Sequence, residues 1–468
     1  MDYKEILKEI KPSIAEREKV RKIAKEAIDY INKKSKKENI GVEAILVGSV
    51  AKDTWLSGKA DIDIFINFSL EKSEDYLKEK GLYLGYECSN HLNGIAEEHY
   101  ASHPYITSHI KGYDVDFVPC YKIANASQLK SAVDRTLLHT QYMEKHLDSN
   151  QKDEVLLLKK FMSEVGTYGS EFKVGGFAGY LCEILILKYG SFENTLKAAS
   201  EWKNKTKIDL ENYGTSNLFK DPLIAIDPTD ENRNVAASLR MEKMAEFVIA
   251  SRNFLLANKK KIDYFHEISK KIDFDKIISQ FKDRKTKIIT IKFNTPNVPA
   301  DSLHPQLKKT QQSIEEKLES NDFFVFKSDY WTDENKIAIF IFELNVYKQN
   351  KYRIHEGPKI WDKKASSNFL ASHPDISYIL EDTLVLNKKR EFETAQKFIK
   401  FVLSYENIHI IKIGKNLKDT IVDSYELNDI DYLLNNDAYL NDKTNISYFN
   451  DFLNFLDDFL NPGQLLKR

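Results

Sequence analysis

The chain has 468 residues, of which 42% are hydrophobic and 30% are charged, a balance typical of a folded globular protein. At about 150 residues per domain, this length predicts about three domains. The 69 Lys and Arg residues nearly cancel the 71 Asp and Glu residues, giving a net charge of −2. That balance excludes a protein that holds nucleic acid or membrane by overall positive charge, so any such contact must come from a local patch.

Hydrophobicity and cysteine content indicate the compartment. No apolar run approaches the ~18 residues of a membrane span, and the charged helical pattern at the start is unlike a secretory signal. The 3 cysteines, Cys88, Cys120 and Cys182, lie far apart without a Cys-x-x-Cys pair. This pattern indicates neither a disulfide framework nor a zinc site. We therefore expect a cytoplasmic protein with no membrane partner.

The first part of the chain alternates helices and strands. Helical spacing of apolar residues runs over residues 4–36. Mostly apolar runs then predict strands over residues 42–47, 62–68 and 113–118, the last ending at Pro119. Such alternation is typical of an α/β or α+β domain, which we predict over residues 1–146.

The rest of the chain divides into a helical part and a mixed part. Helical periodicity predicts a middle domain over residues 147–265, with helices at 152–165, 177–190 and 236–256. A mixed α/β C-terminal domain is predicted over residues 275–468, with strands at 287–293 and 336–346 and helices at 306–318 and 387–404. The predicted fold class is multidomain α+β.

The most informative segment begins at Gly48-Ser49, which closes a strand and opens a short helix, and continues to Asp61-Ile62-Asp63. Because strand side chains alternate, Asp61 and Asp63 project the same way while Ile62 points into the core. Adjacent carboxylates repel unless a cation lies between them, and oxygen ligands without His or Cys suit Mg²⁺. Backbone N–H groups at the helix start are free to hold a phosphate. This layout predicts a metal-nucleotide site.

A second acidic strand supplies the third carboxylate that two metals need, one metal for the attacking oxygen and one for the leaving group. In Tyr113-Asp114-Val115-Asp116, either Asp114 or Asp116 could serve from spacing alone. An isolated Asp-x-Asp is more often an ordinary exposed strand face. The Gly-Ser turn and the second acidic strand together favour the site.

These residues resemble the nucleotidyltransferase signature of Gly-Ser, Asp-x-Asp and a distant Asp, and more closely the archaeal-type (class I) CCA-adding enzymes, which rebuild the 3′ end of tRNA. The resemblance rests on GSVAKDTWLSGKADIDIFINF from Gly48, His103-Pro104-Tyr105, DFVPCY from Asp116, AVDRT from Ala132 with His139 following, TYG from Thr167, KVGGFAGYLCE from Lys173 and RNVAA from Arg233. It is dense over residues 45–240 and thin beyond about residue 290.

The resemblance implies a polymerase-beta-like nucleotidyltransferase head and a C-terminal domain that holds tRNA. It implies stepwise, template-independent addition of C, C and A from CTP and ATP, with release of pyrophosphate. Asp61, Asp63 and Asp116 would be catalytic and hold two Mg²⁺ ions, Asp116 matching the family pattern better than Asp114. The partners implied are tRNA, CTP and ATP, and a homodimer is left open.

The resemblance also implies a nucleotide-binding set: Gly48, Ser49, Lys52, Thr136, His139, Lys159, Tyr168 and Arg233. Ser49 would contact the triphosphate, and Arg233 would read the edge of the incoming base. Lys52 stands where the family usually has Arg, which keeps the positive charge but not the two-pronged guanidinium.

Three residues of this nucleotide-binding set also have purely structural interpretations. Without the resemblance, His139 reads as a packed or capping histidine, Lys159 as a surface lysine, and Arg233 as a partner of Asp230 or Glu231. Functional alternatives are a poly(A) or oligoadenylate polymerase of the same superfamily and an inactive RNA-binding relative. An antibiotic nucleotidyltransferase fits less well, because those chains are shorter.

Overall fold

The computed structural model describes residues 3–100, 104–257, 261–267, 273–374, 377–437, 439–440 and 446–463. The chain divides into two compact units, Met1–Ser269 with Gly463–Arg468, and Lys270–Pro462. In the described ranges, no helix combines the length and the hydrophobicity that crossing a membrane requires.

The first unit opens with a mixed five-stranded sheet and its helices. The helices are α1 (Lys4–Ile10), α2 (Ile14–Lys37), α3 (Gly48–Lys52), α4 (Glu74–His91) and α5 (Arg135–His146). The strands are β1 (Glu43–Val47), β2 (Asp61–Phe68), β3 (Ile95–Tyr100), β4 (Pro104–Ile110) and β5 (Tyr113–Tyr121). Their order is β1-β2-β5-β4-β3, and β2 pairs with β5 in parallel while the other neighbours are antiparallel.

Helices α2 and α4 cover one face of this sheet. Ile23 of α2 and Leu84 of α4 share a buried core with Ile62, Ile64 and Phe117 from the two central strands. Because side chains alternate along a strand, this packing directs the residues between them to the opposite face. The aspartates of β2 and β5 therefore lie on the face away from α2 and α4.

Two element boundaries differ from the prediction. The helical spacing over residues 4–36 belongs to two helices, because Pro12 interrupts the first and Ser13 caps the second by accepting a hydrogen bond from the Glu16 amide. Strand β5 passes through Pro119 and ends at Tyr121. Its pairing with β4 stops at Phe117, so the missing N–H of Pro119 costs no bond on that side.

The remainder of the first unit is mainly helical. Its elements are α6 (Ser149–Glu164), α7 (Gly179–Tyr189), α8 (Phe192–Ser200), α9 (Met241–Leu256), and a sheet of β6 (Thr206–Ile208), β7 (Leu223–Asp227) and β8 (Asp230–Asn234). The periodicity did not predict this sheet. Ile6 and Ile10 of α1 pack into the core of these helices rather than into the core beneath the first sheet. The domain division at residues 146 and 265 stays a prediction.

The second unit is mixed, as predicted. Its helices are α10 (Phe274–Asp283), α11 (Ala300–Ser320), α12 (Lys363–Ser372), α13 (Ala395–Val402), α14 (Lys418–Ser424), α15 (Ile430–Asn436) and α16 (Ile446–Leu460). Its strands are β9 (Lys287–Asn294), β10 (Val325–Thr332), β11 (Ile337–Leu344), β12 (Tyr352–Lys359), β13 (Ser377–Leu380), β14 (Thr383–Lys389) and β15 (Glu426–Asp429). They form two sheets, β10-β11-β9-β15 and β12-β14-β13. The helix predicted over 387–404 is shorter, because its first residues belong to β14.

Strand β11 shows why the larger sheet of this unit is covered on both faces. All its residues are buried. Phe340 and Phe342 pack with α11, α13 and α14, whereas Ile339 and Ile341 pack with α10, α15 and α16. A strand buried on both faces needs a continuous apolar run rather than an alternating one, and this strand is apolar without interruption from Ile337 to Phe342.

Candidate active site

Four aspartates lie on one face of the first sheet, two on each of the neighbouring strands β2 and β5. The parallel register pairs Asp61 with Asp114 and Asp63 with Asp116. Residues paired in this way point to the same side, and the intervening Ile62 is fully buried on the other side. The structure thus brings together the carboxylates that the sequence pattern singled out.

Asp114 and Asp116 differ in their surroundings. Asp116 is half-buried, and its Oδ1 accepts a hydrogen bond from Thr107 Oγ1 at 2.6 Å. Asp114 is exposed, and its Oδ1 lies 3.0 Å from Nδ1 of the exposed His109. Asp116, which is opposite Asp63 and held by a neighbouring hydroxyl, has the more defined position of the two.

The aspartates repel one another, and the central pair, Asp63 and Asp116, is only partly open to solvent. Burial, followed by the charges of Asp116 and Asp61, raises the pKa of Asp63 to about 7. Burial also raises the pKa of Asp61, with Asp114 adding to the effect. The Lys52 ammonium lowers the pKa of Asp63 but does not cancel the other effects. The cluster therefore has an excess of negative charge that a bound cation would offset.

The carboxylates fit a divalent cation that arrives with a nucleotide. Within the described ranges, no three or more His, Cys, Asp or Glu side chains are arranged as a ready-made metal cage. Mg²⁺ in nucleotide enzymes usually keeps some waters and takes one or two carboxylates plus substrate phosphates, so it does not need such a cage. The all-oxygen donor set and the unbalanced charge on this face meet those requirements.

The Gly48-Ser49 turn lies directly against Asp63. Gly48 has φ of +74°, and a Cβ at this position would lie 1.9 Å from Asp63 Oδ2. Only glycine allows both the left-handed backbone and this close approach. The amide of Gly48 donates to Thr140 Oγ1 at 3.3 Å. This amide is therefore already hydrogen-bonded, contrary to the prediction that the N–H groups at this helix start are free. Ser49 follows, half-buried, in the first turn of α3.

Two lysines of the predicted nucleotide-binding set share one buried carboxylate. Lys52 Nζ donates to Glu183 Oε2 at 2.6 Å, and Lys159 Nζ lies 3.9 Å from Glu183 Oε1. Thr54 links them, because its hydroxyl donates to Glu183 and its carbonyl accepts from Lys159 at 2.7 Å. Burial opposes ionisation of Glu183, but the two lysines hold its pKa below the ordinary value. Lys159 is therefore a core residue and not a surface lysine.

Glu183 was not predicted as a functional residue, although it stands in one of the segments that carry the resemblance. A single acidic residue in the otherwise apolar stretch from Leu181 to Ile186 was the available signal, because a buried carboxylate requires a partner. Tyr168 lies nearby. A Cβ on Gly179 would be 3.2 Å from the Tyr168 hydroxyl and 3.4 Å from Lys159 Nζ, so these two groups meet over that glycine.

His139 and Arg233 meet at a second buried carboxylate, that of Asp227. Asp227 Oδ2 lies 2.8 Å from His139 Nε2 and accepts from Arg233 Nη1 at 2.7 Å. The partner of Arg233 is thus Asp227, and neither of the two acidic neighbours that the sequence suggested. Thr136 is half-buried in α5, one turn before His139.

The two carboxylate-centred groups are joined by Tyr180. Its ring stacks on His139 with centroids 4.0 Å apart, and Lys52 Nζ lies 5.6 Å from the centre of the same ring. A continuous set of contacts thus runs from Lys52 beside Asp63 to Arg233. His103, one of the residues that carry the family resemblance, lies outside the residues that the structure describes.

Comparisons with known proteins identify the family of this chain. Three family models match in succession: a nucleotidyltransferase domain over residues 8–139, the second domain of tRNA nucleotidyltransferase over residues 153–266, and the C-terminal domain of CCA-adding enzymes over residues 284–429. The CCA-adding enzyme of Methanothermobacter thermautotrophicus is 44% identical over 467 residues, which cover 100% of this chain and 99% of that protein.

The chain belongs to the archaeal CCA-adding enzyme family.

Further members are similar over most of their length. The CCA-adding enzyme of Methanocaldococcus jannaschii is 37% identical, covering 88% of this chain and 92% of that protein, and the enzyme of Methanosarcina barkeri is 36% identical, covering 90% and 92%. Among solved structures, the Cid1 poly(U) polymerase aligns with 57% of this chain and 100% of its own at 15% identity, with a TM-score of 0.44. Membership confirms the predicted nucleotidyltransferase head, helical middle and mixed C-terminal part.

Proposed function

We propose that this chain completes the 3′ end of tRNA by adding C, C and A in turn from CTP and ATP, without a nucleic-acid template. The observation that carries the proposal is the face of paired aspartates on β2 and β5 in a member of the CCA-adding family. The partners of the site are then tRNA, CTP and ATP. We place the activity in the cytoplasm, which three buried free thiols support.

The proposed reaction is a nucleotidyl transfer at the α-phosphorus. The oxygen of the tRNA 3′-hydroxyl bonds to that phosphorus, the bond to the bridging oxygen of pyrophosphate breaks, and the hydroxyl proton is released. Such chemistry depends mainly on positioning and on the stabilisation of charge. The sheet meets the first need, since Asp63 and Asp116 are held at paired backbone positions.

Asp61, Asp63 and Asp116 are the residues that would hold metal, which we propose is two Mg²⁺ ions. Bound metal supplies Lewis-acid chemistry here, activating the attacking hydroxyl and offsetting the charge of the leaving group. The carboxylates themselves keep this face negative, and their mutual repulsion favours cation uptake. Gly48 contributes by leaving room for the Asp63 carboxylate.

The remaining predicted residues would bind the nucleotide. Lys52 is anchored on Glu183 through one N–H, and an ammonium has three donors, so it can face a phosphate without leaving that carboxylate. We propose that Ser49, Thr136, Lys159 and Tyr168 serve the triphosphate and sugar, either directly or by supporting Lys52. Arg233 would read the base edge with the guanidinium donors that Asp227 leaves unused.

The test uses tRNA transcripts that lack one, two or all three of the terminal nucleotides, with Mg²⁺ and each labelled nucleotide in turn. We expect two additions from CTP on the shortest transcript, one addition from ATP on the transcript ending in CC, and none on mature tRNA. A long A tail would instead identify a poly(A)-type polymerase. Binding of tRNA without any incorporation would identify an inactive relative. Light scattering on the same sample decides whether the chain forms the homodimer that the resemblance leaves open.

A further inference from the structure

Asp227 is completely buried, and both of its carboxylate oxygens accept hydrogen bonds from neighbouring groups. Oδ1 accepts from the Thr229 amide at 2.9 Å, the Thr229 hydroxyl at 2.8 Å and the Tyr180 hydroxyl at 3.3 Å. These bonds hold the carboxylate in one orientation. Oδ2 is then directed at Arg233 and His139, which come from β8 and from α5.

The charges in this group are well defined. Burial alone would raise the pKa of Asp227, but the hydrogen bond from His139, the Thr229 amide and the charge of Arg233 bring it below the ordinary value, so the group is ionised. Burial lowers the pKa of His139, so its ring is neutral. A neutral imidazole has one N–H, and donation of that proton from Nε2 to Asp227 leaves Nδ1 as an acceptor.

Arg233 is the most exposed of the three side chains. Its side chain is 33% exposed, whereas the Asp227 side chain is 0% exposed. Asp227 therefore cannot itself meet a nucleotide, but it holds one nitrogen of a guanidinium on a side chain that is partly open to solvent. A planar guanidinium recognises a base edge only when its plane is fixed.

We propose that Asp227 is a positioning residue for base selection: it orients the Arg233 guanidinium and keeps His139 in one tautomer, so that discrimination among nucleotides depends on a carboxylate that never touches them. The proposal rests on the proposed function, in which Arg233 reads the base.

The test compares Asp227→Asn with Asp230→Asn. Asp230 lies in the same hairpin and pairs with Arg135 at 3.0 Å, so its substitution also removes one paired carboxylate but leaves Arg233 and His139 untouched. We measure kcat/KM for CTP and for UTP on tRNA lacking its 3′ end, together with the affinity for tRNA. We expect the CTP preference to fall about tenfold or more in Asp227→Asn and by less than about twofold in Asp230→Asn, with tRNA affinity changed little in both.

A double variant separates positioning from a purely structural role. If Asp227 acts through Arg233, Asp227→Asn combined with Arg233→Gln should select CTP no worse than Arg233→Gln alone, because the two effects are not additive. Should Asp227→Asn fail to fold, Thr229→Val removes one donor to the same carboxylate, and the CTP preference should fall about two- to threefold.

These measurements distinguish failure of the positioning role of Asp227 from failure of the proposed function. A wild-type chain that completes tRNA, with CTP preference unchanged in Asp227→Asn (or, where that variant does not fold, in Thr229→Val), overturns the positioning role and leaves the proposed function intact. Additive losses in the double variant also overturn it. A wild-type chain that adds no nucleotide overturns both.

Discussion

Asp63 lies directly opposite Asp116 in the register of the parallel strands β2 and β5. Burial and this neighbour raise the pKa of Asp63 to about 7, so the pair is electrostatically unfavourable in the absence of a cation. A ligand that brings positive charge would relieve the repulsion between these two carboxylates. The arrangement weakens the free protein at the place where we propose that its substrate and metal bind.

The first prediction separates Asp116 from Asp114. Asp116→Asn should lower the rate of nucleotide addition by about 10²–10³-fold, because it removes one of the three carboxylates that we propose hold metal, while tRNA binding is retained. Asp114→Asn is the matched control, since this residue lies on the same face two positions earlier but is exposed beside His109. Single-turnover rates on a tRNA lacking its 3′ end measure both. Equal losses in the two variants would contradict the assignment of Asp116 as the third carboxylate.

The second prediction concerns Gly48. Gly48→Ala places a methyl group 1.9 Å from the present position of Asp63 Oδ2, so the carboxylate must move. A displacement of about 1 Å at a reacting centre costs about 100-fold in rate. Gly58→Ala is the control, because Gly58 has nearly the same φ, +73°, with nothing within 4 Å of the added atom. Both variants should lose about 1 kcal/mol of stability from the left-handed backbone, but only Gly48→Ala should lose activity.

Glu183 is the subject of the third prediction. Glu183→Gln leaves the buried Lys52 and Lys159 without their counter-charge, which should lower the free energy of unfolding by about 3–5 kcal/mol. Urea unfolding followed by circular dichroism measures the change. Glu211→Gln, an exposed glutamate that accepts a hydrogen bond from Tyr142, should stay within about 0.5 kcal/mol of the wild type. A wild-type midpoint in Glu183→Gln would show that the lysines find other partners.

The fourth prediction is a pH dependence of stability. Burial lowers the pKa of His139 in the folded protein, so the unfolded chain binds its proton more readily. The stabilising contribution of the neutral ring is therefore complete above the unfolded pKa of about 6.5 and is lost as the pH falls below it. Comparing the wild type with His139→Gln between pH 7.5 and 5.5, we expect the wild type to lose stability more steeply, by up to about 1.4 kcal/mol per pH unit. Parallel curves for the two proteins would contradict this account.

The fifth prediction concerns metal. Among the residues that the structure describes, none form a ready-made cage, so Mg²⁺ alone should bind weakly and should bind more tightly together with a non-reactive CTP analogue. Calorimetric titration with and without the analogue measures the difference, and Asp63→Asn should abolish it. Tight binding of Mg²⁺ without nucleotide would show that the protein supplies the ligands by itself.

Local pattern was enough to place the carboxylates. The alternation of Asp61, Ile62 and Asp63 predicted one polar and one buried face, because alternation is a property of the extended backbone itself. The same pattern did not choose between Asp114 and Asp116, which stand on the same side of one strand. Their difference comes from Thr107 and His109 on the neighbouring strand β4.

The partners of buried charged groups could not be predicted in this way. Lys52 and Glu183 are 131 residues apart, and His139 and Asp227 are 88 residues apart. Sequence patterns indicate which side of an element is buried, since that depends on neighbours two positions away in a strand and three or four positions away in a helix. Which two charges meet depends on how α5, α7 and β7 are brought together, and only the tertiary structure decides that. The sequence by itself determined the family and the acidic face where we propose that metal binds; the fold determined which buried carboxylates hold the side chains that we propose bind the nucleotide.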